Sequence, residues 1–277
     1  MKILRIILLV IVILIGLMTV LGFEENWRGA HDWYAYVHDH EARGESLDFK
    51  GLVPPPVPDD QNFAMTSLLS PLFRGDSEKR KEYADRLKEK FRFPMAKGKT
   101  MPSIAVFQNG EYLDLGEWKT YLGMEPLEWL KQFDGDLREI SDASRRPYAS
   151  FPVDYEKGIW VSFPQFGPLG WLSSFYELRA CAELAARQTD KTLNDTETLF
   201  HLADSLKDEP ALIPLIGRIA IWRIGLQVTW EGLQSRRWTD AQLATLQADL
   251  GRADFLKDLQ LALHGFWGCE FSISMKC

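Results

Sequence analysis

The chain has 277 residues, is 46% hydrophobic and 26% charged, and carries a formal net charge of −7. That length allows one large domain or two small ones around a real apolar core. The acidic balance leaves no electrostatic footprint for nucleic acid and little general attraction to anionic lipid, so no nucleic-acid partner is expected.

The first 23 residues dominate the pattern. After Lys2 and Arg5 the run Ile6 to Phe23 has no charge, with Gly16, Thr19 and Gly22 its non-apolar interruptions. As a helix rising about 1.5 Å per residue it crosses most of a hydrocarbon core of roughly 30 Å. Lys2 and Arg5 flank one end, and Glu24 and Glu25 the other. Basic flanks stay cytoplasmic, which predicts a single-pass signal-anchor in the cell membrane, with the N-terminus cytoplasmic and the body extracytoplasmic. Setting Lys2 and Arg5 aside, the rest of the chain has a net charge of −9. The rivals are a cleaved secretory signal and a cytoplasmic hydrophobic helix. For cleavage, Val20-Leu21-Gly22 offers a small residue, but no Ala-x-Ala. No Cys follows the run to make a lipoprotein. Pro210 to Trp230 is the next most apolar stretch, but Arg218 and Arg223 would each cost about 2.5–3.5 kcal/mol at a bilayer centre, so it reads as a buried soluble helix.

Asn26 to Gly44 reads as a juxtamembrane helix. Its Trp27, Trp33, Tyr34 and Tyr36 suit a membrane interface or, alternatively, a carbohydrate-stacking platform. His31 and His38 share a helix face near Asp32, Asp39 and Glu41, but lack the spacing of four that helical metal sites use. Pro54, Pro55, Pro56 and Pro58 then force an extended connector without ladder donors. Asp59 and Asp60 follow as turn or N-cap residues.

Asp76 to Phe93 reads as a charged amphipathic helix with Tyr83, Leu87 and Phe91 on its apolar side. Asn109-Gly110 sits between two β-prone runs, which predicts a hairpin over 103–115. Helices follow from Trp118 and Pro126. Arg145 to Tyr155 is a second proline-marked connection, and Gly158 to Phe163 a candidate short strand. From Leu169 onward the chain is helical. The stripe Leu212, Leu215, Ile219, Trp222, Leu226 and Leu233, broadened by Ile213, Ile216 and Ile224, predicts the central helix of the bundle. Thr239 and Gln242 have capping-box spacing.

The expected fold is mainly α: an N-terminal transmembrane helix, then an antiparallel helical hairpin or bundle body with a small β-hairpin insertion. The expected divisions are 1–23 for the anchor, 24–75 for the juxtamembrane helix and connector, 76–165 for a mixed helical region, and 166–277 for an α-helical domain. Cys181, Cys269 and Cys277 make an odd count. A Cys269–Cys277 bridge is one reading; a buried Cys181 with two incidental tail thiols is the other. No spacing is a zinc pattern.

Four segments stand out together: Pro55-Pro-Val-Pro-Asp-Asp-Gln-Asn-Phe-Ala64, Arg146-Pro-x-x-x-Phe-Pro-x-x-Tyr155, Glu209-Pro-x-Leu-Ile213 and Trp238-Thr-Asp-x-Gln-Leu243. In these the chain resembles a group of uncharacterised, membrane-anchored proteins of planctomycete and verrucomicrobial type bacteria, over most of its length beyond the anchor. The resemblance implies a membrane-anchored body and carries over no activity, cofactor or site residue. A Gly-Glu-Arg-like end expected on the last helix is replaced here by Gly265-Phe-Trp-Gly268.

No Gly-x-Ser-x-Gly, His-Glu-x-x-His or P-loop occurs, so the commonest catalytic chemistries and a cofactor are not indicated. The leading expectation is a non-enzymatic envelope protein whose helical body binds or scaffolds a protein partner. Candidate partner-binding residues are Pro55, Pro56, Asp59, Asp60, Asn62 and Arg146. The alternative is a membrane-tethered hydrolase on envelope polymer, with Asp59, Asp60, His38 and His40 as its acids and bases and Asp154 or Arg146 assisting. A carbohydrate binder using the tryptophans is the third.

Overall fold

The computed structural model describes residues 2–42, 52, 54–55, 57–94, 101–102 and 112–274. The chain divides into two compact units, Met1–Leu52 and Val53–Cys277. The first unit is helix α1, Lys2–Ala42, 41 residues without a break. Its apolar stretch is long enough to cross a membrane, and Ile6 to Phe23 are exposed wherever described. The aromatic part predicted as a juxtamembrane helix continues the same α1, with Trp33 stacked on Tyr36 at 5.5 Å.

The second unit is helical. Short 3-10 turns at Asp59–Gln61, Phe63–Met65 and Ser70–Leu72 lead into α2, Ser77–Lys90. The Asp76 carboxylate caps α2 by accepting from the Lys79 amide at 2.9 Å. α3 is Leu115–Leu122, α4 Pro126–Leu130 and α5 Asp134–Ser144. The long C-terminal helices are α6, Phe166–Ala185; α7, Thr189–Asp204; and α8, Leu212–Gln234. α9, Asp240–Leu250, and α10, Phe255–Ser274, close the chain. The predicted capping box holds: Thr239 and Gln242 exchange side chain to backbone bonds in both directions.

The bundle is built around α6, which packs on α7, α8, α4 and α2. Its buried side chains include Leu169, Leu172, Phe175, Tyr176 and Leu178. Phe175 anchors an aromatic cluster, with Phe93 at 4.7 Å and Phe133 edge-on at 4.8 Å; Trp118 joins through Phe93, also at 4.7 Å. These offset and edge-on geometries suit the ring quadrupoles.

Three sequence expectations need correction. The β-hairpin over 103–115 is not supported: residues 103–111 lie outside the described residues, and Tyr112–Asp114 form no strand. Asp114 instead caps α3, accepting from the Glu117 amide at 2.9 Å, so a helix start competes with a second strand there. Gly158 to Phe163 likewise forms no strand, because Tyr155–Trp160 is a 3-10 turn. Among the described residues the β-type pairing is an isolated parallel bridge between Asn62 and Tyr148.

The third correction concerns the predicted stripe on α8. Leu215, Trp222 and Ile224 are buried as the pattern implies, but Ile213, Ile216, Ile219 and Leu233 are exposed, and the buried face also runs through Arg218, Ile221, Gly225, Val228 and Gly232. Gly225 is there because the Phe200 ring of α7 occupies the space a Cβ would need, and Trp238 does the same over Gly232. The Trp238 indole N–H donates to the Thr229 carbonyl at 3.0 Å across that gap. Of the two cysteine readings, the Cys269–Cys277 bridge falls on Cys277, outside the described residues; Cys181 is free and buried in α6.

Candidate functional site

The candidate residues of the connector meet the second proline-marked connection in one knot. The Asn62 side-chain oxygen accepts from the Ala64 and Ser150 amides at 3.1 and 2.9 Å, and its NH2 donates to the Ser150 carbonyl at 2.8 Å. Arg146 donates to the Asn62 carbonyl at 2.8 Å and lies 3.5 Å from the Asp59 carbonyl. The Phe63 amide completes the join to the Tyr148 carbonyl at 2.8 Å. Asn62 is buried, so its polar atoms serve the backbone of the fold. Asp59 is exposed and pairs with Arg74 at 2.6 Å. Asp60 and Pro55 are exposed, and Pro56 lies outside the described residues. In the first unit, His31 approaches the Asp32 carboxylate at 3.8 Å and His38 is exposed. Asp154 is exposed beside Lys157 at 3.3 Å. Among the described residues no group of three or more His, Cys, Asp or Glu side chains could hold a metal ion.

Two features escaped the sequence reading. The first is a cleft of about 650 Å³ between α4, α5, the end of α6 and the start of α7. Arg179 of α6 forms a bidentate pair with Asp195 of α7, both contacts at 2.7 Å, and reaches Asp134 of α5 at 3.8 Å. Its guanidinium lies 5.1 Å from the centre of the Tyr176 ring. One helical turn further along α6, Glu183 also lines the cleft and is 7% exposed. Its Oε2 has no solvent contact and no hydrogen-bond partner. Burial, with Asp195 and Asp134 adding to it and Arg179 and Lys191 opposing it, pushes the Glu183 carboxyl up to about 8. Burial also raises Asp195, against the bonds from Arg179. The available signal was Glu177, Arg179 and Glu183 within a mostly apolar helix, where charges are rarely buried without a purpose or a partner.

The second is the outer face of α8. Ile213, Ile216 and Ile219 are 55%, 65% and 40% exposed, at spacing three along the first half of the helix. Spacing three keeps side chains on one helix face, so they form a ridge. On the opposite face Arg218 is buried between Asp204 of α7, at 3.0 Å, and Asp258 of α10. Its guanidinium also covers the Phe255 ring at 4.8 Å. Set against known proteins, the chain matches no family model, no curated protein and no solved structure.

Proposed function

We propose that the chain is a single-pass protein of the cell membrane whose helical body binds another envelope protein and scaffolds it at the membrane. The observation that carries this reading is the isoleucine ridge of α8. Three β-branched side chains stand in water on a helix whose other face is packed, and exposed apolar surface of this kind is relieved by association. A ridge at spacing three fits the groove of a facing helix. The partner is therefore an amphipathic helix of another protein, and the acidic balance of this chain favours basic flanks on it. The anchor topology follows from Lys2 and Arg5 before the apolar run and Glu24 and Glu25 after it.

The test places a photo-crosslinking amino acid at Ile216 of the full chain in its native membrane, with a second one at exposed Lys257 as control. Support is a discrete protein adduct formed from 216 and not from 257, identified by mass spectrometry and lost in Ile213→Ser/Ile219→Ser. Adducts to lipid alone, or none, would overturn the proposal. Protease added outside intact cells should digest the body; protection of the body would overturn the topology.

A further inference from the structure

The cleft beside α6 holds an arrangement that the packing of the bundle does not require. Arg179 and Asp195 bond each other through two parallel hydrogen bonds, so each largely neutralises the other's charge. Glu183 lies beside them, more than nine-tenths buried, and one of its oxygens is unpartnered. Burial makes the ionised carboxylate costly, and a cation placed against it offsets that cost. The lining has more carboxylates than cations, six to four, which disfavours an anion. Half-buried Leu127 supplies an apolar patch in the same cleft, backed by the core residue Leu130. Its size falls within the roughly 300–1,000 Å³ of small-molecule sites.

We propose that this cleft binds a small aliphatic primary amine in its ammonium form, with Glu183 taking the positive charge and Leu127 contacting the methylenes. A compact ammonium has three N–H donors and needs a single carboxylate oxygen on the cleft wall, whereas a planar guanidinium needs two in line. A divalent metal needs a shell of several oxygens, and no cluster among the described residues offers one. The groups facing Glu183 are Arg179 on its own helix, Asp195 and Lys191 on α7, and Asp134 on α5. Near neutrality the empty site holds Glu183 as the acid. Binding therefore ionises it: the carboxyl gives its proton to the buffer, and carboxylate and ammonium form the pair. None of these residues belongs to the α8 ridge, so this site and the partner surface stand or fall separately.

The experiment is titration calorimetry of the full chain in nanodiscs with 1,4-diaminobutane and n-butylamine, in buffers of differing ionisation enthalpy. Tetramethylammonium, which has no N–H, is the charge control. The expected result is saturable binding that tightens by about tenfold per pH unit between pH 6 and 8. It should release about one proton per site at pH 6.5 and almost none at pH 9. Glu183→Gln keeps the shape of the neutral side chain, so it should unfold at a temperature no lower than wild type while binding at least tenfold more weakly. No saturable binding, equal binding by tetramethylammonium, equal binding by Glu183→Gln, or affinity independent of pH would each overturn the proposal.

Discussion

Replacing Glu209 by Gln isolates the cost of one buried acid. Glu209 lies between α7 and α8, is 4% exposed, and has an Oε2 with no hydrogen-bond partner. Burial pushes its carboxyl from 4.5 up to about 8, and the hydrogen-bonding Phe151 amide opposes that only weakly. A folded-state value above the unfolded one means that folding favours the protonated form. Below about pH 4.5 both states hold the proton and nothing is lost. Between 4.5 and 8 unfolding releases it, so stability falls as pH rises; above 8 the loss is constant. At 1.36 kcal/mol per unit the loss reaches about 3 kcal/mol at pH 7 and about 5 kcal/mol at pH 9. Glutamine cannot ionise. In urea unfolding of residues 53–277, the stability of Glu209→Gln relative to wild type should rise by about 4 kcal/mol from pH 5 to pH 9. Other buried acids, Glu183 among them, are common to both proteins and cancel in the difference. A difference that stays flat across that range would refute the reasoning, because it would mean that Glu209 ionises freely in the folded state.

Asn62→Ala should lower stability by about 2–3 kcal/mol in urea unfolding, because the buried Ala64 amide and the Ser150 amide and carbonyl lose their partner. Arg218→Met should cost about 3–5 kcal/mol at pH 7, since Asp204 and Asp258 would be left facing each other without a cation. Adding Asp204→Asn and Asp258→Asn to that variant should recover most of the loss, read from the same denaturant midpoints.

The helical class was legible because most core helices carry their signal in apolar spacing and in caps such as Asp76 and Thr239–Gln242. The apolar α1 was equally plain. What apolar spacing missed was where glycine and arginine share a buried face with apolar residues. The inner face of α8 sets Arg218, Gly225 and Gly232 among Leu215, Ile221, Trp222, Ile224 and Val228, so hydrophobic spacing also drew in Ile219 and Leu233, which are exposed. Glycine there answers rings that come from Phe200 and Trp238, residues whose approach no local pattern announces. At the proposed hairpin, Asn109-Gly110 carried a strong turn signal, while Asp114 carried an equally local helix start that spacing alone does not rank above it. The candidate site divides the same way. Asn62 and Arg146 stood out in sequence and do come together, as a structural knot. Glu183 and Asp195 are distant from each other's helix turns in sequence, and only packing of α6 against α7 makes them neighbours.

The Asn62 knot also has a mechanical meaning. Tension entering the body from its N-terminal side passes the 3-10 turn Asp59–Gln61 and arrives at Asn62. There the load is shared at once with residues 146–150 through the Arg146, Ser150 and Tyr148 bonds. The segment between them, with α2 to α5, is shunted out of the load path like a loop of rope behind a clip. Pulling from the N-terminal end should therefore show one early rupture at the clip before the aromatic core around Phe175 feels any force.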